Sequence, residues 1–190
     1  MTHRKIFPYS VLLILAIILA GSTLAGCGGS NSSTSTSGSA SSVKVAPDFS
    51  VKTLSGDTVT FSSLKGKPLV LNFAASWCGP CELEAPVLAR MYEKYKDRVT
   101  FFGLAVKDSE EDQRAFAEKH GLKFPIGLDF DGKIVYNYQK AGKVNMSGIP
   151  TTFFIDKEGN IAAFFIGPLT ESTFDQKIAC LLYTSPSPRD

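Results

Sequence analysis

Apolar residues in this chain fall into short continuous runs, separated by stretches with helical spacing. Leu69 to Ala75 and Val99 to Val106 are the strongest runs, and their density predicts strands buried on both faces of a sheet. Between them, Cys81 to about Lys96 predicts a helix. Thr58 to Phe61 reads as a short strand after the turn Ser55-Gly56-Asp57. Asp108 or Ser109 is placed to cap a helix reaching His120, with Glu110, Glu111 and Asp112 in the first turn, where the helix dipole favours acids. Those acids read as a cap rather than a site, and His120 as a C-terminal helix residue, favourable there when charged. Phe124 to Leu128 predicts a strand and Gly132 to Lys140 a short helix. Thr152–Asp156 and Ile161–Ile166 predict a hairpin turning at Lys157-Glu158-Gly159-Asn160, and a last helix starts near Thr170. The pairs Phe101-Phe102, Phe153-Phe154 and Phe164-Phe165 fall on strands and read as core. Alternating strands and helices predict an α/β fold with a central sheet covered by helices.

Both ends depart from this pattern. Residues 1–27 read as an export signal: His3, Arg4 and Lys5 precede the apolar run Val11 to Ala20, which at ten residues is short for a bilayer crossing. Its ending, Leu24-Ala25-Gly26-Cys27, resembles a lipobox, which implies lipidation of Cys27 and a membrane anchor. Residues 28–42 are almost wholly Ser, Thr, Gly and Asn, a composition that cannot bury enough surface to order itself and predicts a flexible tether. Cys180 to Asp190 interrupts a helical pattern and resembles the translation of a sequencing-library adapter. Read as foreign to the domain, it leaves residues 43–179 as one domain whose last helix is cut.

Charge adds little. The chain has 20 basic and 18 acidic residues, but Arg4, Lys5, Arg189 and Asp190 lie outside the domain, leaving 17 of each within it. That balance gives no basic surface for nucleic acid.

The chemistry lies in Trp77-Cys78-Gly79-Pro80-Cys81, at a strand-to-helix junction. Two cysteines at this spacing can close a disulfide. Cys78, at the helix N-terminus, faces unpaired N–H groups and the positive end of the dipole, which favour thiolate. It is the attacking sulfur. Cys81, deeper and covered by the helix and Trp77, is the resolving sulfur. The same spacing begins many zinc sites, but a tetrahedral shell needs a second pair of ligands, and the domain offers no further cysteine and one histidine, His120.

Several motifs beyond the dithiol carry a resemblance: Ala46-Pro47-Asp48-Phe49, Gly56, Leu64-Lys65-Gly66-Lys67, Asn72-Phe73, Glu84 with Pro86, Gly148-Ile149-Pro150-Thr151, and Ile155-Asp156 with Gly159. Over about Val43 to Ala179 the chain resembles the TlpA/ResA branch of the thioredoxin superfamily, membrane-associated disulfide reductases. The resemblance implies a thioredoxin-like fold with an N-terminal β extension and a central α/β insertion, placed at Asp108 to Leu128. It implies a cis peptide before Pro150, beside Trp77 and Cys78, with the Ile149 backbone open to an extended substrate. Trp77, Gly79, Pro80, Ile149 and Pro150 are then the substrate-binding residues. Thioredoxin itself carries a buried aspartate where Asn72 stands, and asparagine cannot titrate. Glu84 is the candidate to take the resolving thiol's proton, against the usual fate of a helix glutamate as a solvated surface group.

The expected function is extracytoplasmic disulfide reduction in exported proteins, apocytochrome c among them. It would need no cofactor, would take electrons from an integral-membrane thiol donor, and would act as a monomer. Two rival readings fit the residues less well. A peroxiredoxin requires a threonine three positions before its cysteine, where Ala75 stands, and a nearby preceding proline that is missing after Pro68. A copper-binding assembly factor would need wider cysteine spacing and a histidine ligand.

Overall fold

The computed structural model describes residues 44–142 and 148–184. The expected export signal, Cys27 with its lipid, and the tether lie outside the described residues, as do Ser147 and 185–190 of the stretch read as foreign.

Six strands form one mixed sheet: β1 (Lys44–Val45), β4 (Leu69–Ala74), β5 (Thr100–Val106), β6 (Ile126–Asp129), β7 (Thr151–Ile155) and β8 (Asn160–Ile166). Their order is β1-β8-β7-β4-β5-β6, with β4, β5 and β6 parallel and the remaining pairs antiparallel. The N-terminal extension adds a separate hairpin of β2 (Ser50–Lys52) and β3 (Thr58–Thr60). Parallel neighbours need crossover connections. Helix α1 (Gly79–Tyr95) joins β4 to β5, and α2 (Glu110–His120) joins β5 to β6, the predicted insertion. Helices α3 (Lys133–Gly142) and α4 (Glu171–Thr184) follow β6 and β8.

Successive residues of a strand point to opposite faces, and the buried doublets use this. Leu71, Phe73, Phe102 and Phe153 enter one core with Phe49, Phe61 and Tyr138 of α3. Val70, Phe101 and Phe154 enter the other with Leu88 and Met91 of α1 and Phe174 and Ile178 of α4. A strand with a core on each side has no polar face, which is why β4 reads as one apolar run. Its exception, Asn72, is buried.

Three local readings change. Phe61 leaves β3 and opens a 3-10 turn (Phe61–Leu64), its side chain buried. Phe164 and Phe165 are partly exposed on β8, because only the two-residue β1 pairs beyond it. Helix α4 runs on to Thr184 with Leu181 buried among α4's core residues, so the helix enters the stretch read as foreign from Cys180.

Candidate active site

The dithiol sits past the C-terminal end of β4. Cys78 is the N-cap of α1, and Gly79 and Pro80 fill its first positions, exposed, where the missing proline N–H costs no intrahelical bond. Cys78 Sγ accepts the N–H of Cys81 at 3.2 Å, so the cap atom is one of the two sulfurs of the dithiol. The same N–H group, with the helix dipole behind it, stabilises negative charge on that sulfur after reduction. Here Cys78 and Cys81 are joined in a disulfide and are 6% and 2% exposed.

Residues on the loop after β5 fix the approach to the helix. The Ser76 N–H and hydroxyl both donate to the Asp108 carboxylate, at 2.6 and 2.9 Å. Ser109, not Asp108, caps α2 by accepting from Asp112 N–H. Lys107 adopts a left-handed backbone with φ of 49°, uncommon outside glycine, and its carbonyl accepts the Trp77 indole N–H at 3.2 Å. Trp77 therefore stands 62% exposed. The cover assigned to it over Cys81 comes instead from Ala75, Ala85 and Phe116 of α2, which pack with both cysteines.

On the Cys78 side, Ile149 comes alongside: its carbonyl oxygen lies 3.4 Å from Cys78 Sγ, and the Ile149–Pro150 peptide is cis. Pro150 is buried, and its carbonyl accepts from Gly167 N–H. Trp77, Gly148 and Ile149 border an open groove of about 490 Å³, which Lys107, Tyr136 and Gln139 also line.

On the Cys81 side the surroundings are closed. Glu84 is 1% exposed, not a surface group. Its Oε2 accepts from Asn72 Nδ2 and its Oε1 from the Leu169 N–H, each at 2.9 Å. Asn72 Nδ2 also donates to Thr152 Oγ1. Burial pushes the Glu84 carboxyl up to about 7, and the hydrogen bonds from Leu169 and Asn72 only partly oppose it. Cys81, Glu84 and Asn72 line one small cavity with Gln113 and Phe116. The sequence thus leads to Cys78, Cys81, Glu84, Trp77, Ile149 and Pro150, and these do converge.

Sequence reasoning missed Asp108, Gln113 and Phe116. Asp108 alone carried a signal, since it follows the carboxyl end of a parallel strand, where sites of open α/β sheets gather. His120 ends α2 as expected, but its Nε2 lies 2.7 Å from Glu82 Oε2, bridging to α1.

Comparison with known proteins agrees with this geometry. The AhpC/TSA family profile matches residues 43–164. The thioredoxin-like protein YneN of Bacillus subtilis is 37% identical over 136 residues, 70% of this chain and 76% of that protein. The thiol-disulfide oxidoreductase ResA of Bacillus anthracis is 35% identical over 133 residues, 70% of this chain and 73% of ResA. Among solved structures, a secreted disulfide oxidoreductase of Mycobacterium tuberculosis, homologous to DsbE of E. coli, superposes with a TM-score of 0.62 at 30% identity. That match spans 70% of this chain and 96% of the other. With this fold, these relatives and a closed Cys78–Cys81 pair, the chain belongs to the AhpC/TSA family and is a thiol-disulfide oxidoreductase of the ResA-like, thioredoxin-fold kind.

Proposed function

We propose that this oxidoreductase works outside the cytoplasm, held to a membrane by a lipid on Cys27, and acts mainly as a reductant of disulfides in exported proteins. The observation that carries the division of roles is the contrast around the dithiol: Cys78 caps α1 beside Ile149, which borders the open groove, while Cys81 is backed by a buried carboxyl. In the reduced enzyme the Cys78 thiolate attacks a substrate disulfide and forms a mixed disulfide. Cys81 then gives its proton to Glu84, attacks Cys78 Sγ, and expels the substrate as a thiolate. A carboxyl near 7 suits this, because it is half ionised at neutral pH and can both take and return a proton. Trp77, Gly79, Pro80, Ile149 and Pro150 form the face that meets the substrate, with the Ile149 backbone available to an extended segment as an added strand.

Support for export comes from residues 1–27 and from the secreted relative in M. tuberculosis. The TlpA/ResA resemblance supports an integral-membrane thiol donor that resupplies electrons, and apocytochrome c among the clients; action as a monomer completes the proposal. The test is Cys81→Ser in the full-length chain, which stops resolution and holds clients as mixed disulfides on Cys78. Exported proteins with paired cysteines should be captured in the membrane fraction. Capture of cytosolic proteins alone would overturn the reading.

A further inference from the structure

The groove beside Ile149 carries a charge that the dithiol chemistry leaves unused. Lys107 holds a left-handed backbone, with φ of 49°, which residues bearing a side chain seldom adopt. Glycine would take that backbone freely and would offer the same carbonyl to the Trp77 indole. The loop geometry therefore does not explain a lysine at this position. Its stem lies along Gly132, just before α3: a methyl group on Gly132 would come 2.8 Å from Lys107 Cε, with Cγ and Cδ at 3.6 and 3.7 Å. The ammonium, one bond beyond Cε, is thus carried on a stem that packing restrains.

The other charges of the groove are matched. Asp131 pairs with the Lys133 ammonium at 2.6 Å, and Lys140 lies over the Tyr136 ring at 5.5 Å. The Lys107 ammonium has no hydrogen bond or ion pair among the described residues. Residues 143–147, which join α3 to Gly148, contain no acidic side chain that could supply one. Val106, Val135 and the rings of Trp77 and Tyr136 give the groove apolar walls, and a charge beside such walls is felt more strongly than in bulk water.

We propose that this groove is a selectivity subsite, in which the Lys107 ammonium pairs with the carboxylate of an aspartate or glutamate close in sequence to the client's reacting cysteine. The proposal deepens the reading of Cys78 as the attacking sulfur and rests on it. Ile149 both lines the groove and brings its carbonyl to 3.4 Å from Cys78 Sγ, so a client joined to Cys78 through sulfur enters the groove within a few residues. An extended segment advances about 3.3 Å per residue with side chains alternating between faces, so only some positions turn toward Lys107. Complementary charge speeds encounter and fixes register more than it adds affinity. Selection therefore belongs to formation of the mixed disulfide, not to its resolution by Cys81.

The test uses the reduced full-length protein and disulfide-bonded peptides with blocked termini, identical except for one glutamate or glutamine placed one, two or three residues from the cysteine. At one position or more, glutamate should speed mixed-disulfide formation about fivefold, the scale of a solvent-accessible ion pair, and the gap should narrow at ~1 M salt. Lys107→Gln should bring the ratio of the two rates to about one, Lys107→Arg should keep it, and Lys107→Glu should favour a lysine peptide instead. A ratio taken within one variant cancels any loss of folded protein or shift of Trp77 common to both peptides. A second measurement needs no change at Lys107: with the glutamate peptide trapped on Cys78 in Cys81→Ser, a zero-length carbodiimide should join its carboxylate to Lys107. Equal rates at every position, a preference that survives Lys107→Gln, or a carbodiimide product lacking Lys107 would overturn the subsite and leave the dithiol reading intact. Failure of every peptide to form a mixed disulfide on Cys78 would overturn that reading, and the subsite with it.

Discussion

Glu82 and Glu84 sit two residues apart in the first turns of one helix, and their surroundings drive them in opposite directions. Glu82 is on the outer side, where the Lys119 ammonium, with His120 beside it, holds its carboxyl below the usual range. Glu84 is on the inner side, where burial raises it to about 7. Successive helix positions turn through about 100°, so two residues carry a side chain to the opposite side of the axis. Position relative to the cysteines is therefore a poor guide to chemistry here. Neighbours from β4, α2 and the turn before α4 decide which glutamate can exchange a proton near neutral pH.

The sharpest way to break the contrast is to remove the inner charge. Glu84→Gln should slow mixed-disulfide decay by roughly 10²-fold, the lower end for general base catalysis, with attack by Cys78 little changed. Stopped-flow separation of the two phases checks this, and equal slowing of both would place Glu84 in the attack step instead.

Partial repair should follow from Asn72→Asp in the Glu84→Gln background. Asn72 Nδ2 already touches Glu84 Oε2 and lines the same cavity, so an aspartate there presents a carboxylate to the same space. Recovery of about tenfold in decay is expected, short of the full loss because the shorter side chain starts from the sheet. No recovery would show that the base must come from α1.

Stability gives the contrast a second, independent reading. Below about pH 4.5 Glu84 is protonated in both folded and unfolded chains. As pH rises the unfolded chain loses the proton first, so the folded state loses stability until about pH 7. The interval from 4.5 to about 7 corresponds to about 3 kcal/mol. Denaturant midpoints of the oxidised protein should fall across that window and should do so much less in Glu84→Gln. Parallel curves would mean that Glu84 does not titrate there.

The strands, the helices and the dithiol were legible because each is written locally: apolar runs, helical spacing and two cysteines at a fixed interval. Ser109 as a cap and the hairpin turn at Gly159 belong to the same class, and Gly159 has the left-handed φ of 94° that such a turn uses. What the sequence hid is partnership over distance. The burial of Glu84 depends on Asn72, 12 positions earlier, and on Leu169, 85 positions later. Phe116 and Gln113 lie in a helix whose polar composition signals a solvated surface, and only packing shows which side of it closes over Cys81. Trp77 was misplaced for the same reason, since the carbonyl that holds its indole belongs to Lys107, on another loop.

The smallest effect is expected from the outer glutamate, and it is the control for all the others. Glu82 directly follows Cys81 and carries a full charge near the dithiol, so a purely electrostatic account would let it influence resolution as strongly as Glu84. Its charge is already matched by Lys119 at 2.9 Å and faces solvent, which screens what remains. Because its carboxyl is lowered, the stability it contributes is present above the unfolded value of about 4.5 and fades only as pH falls further, a window separate from that of Glu84. Glu82→Gln should therefore leave mixed-disulfide decay within about twofold of wild type at neutral pH, the scale of an exposed ion pair. It should also leave the denaturant curve between pH 4.5 and 7 with its wild-type slope. A decay rate that fell as far as in Glu84→Gln would mean that charge near Cys81, rather than a buried proton acceptor, controls the resolving step.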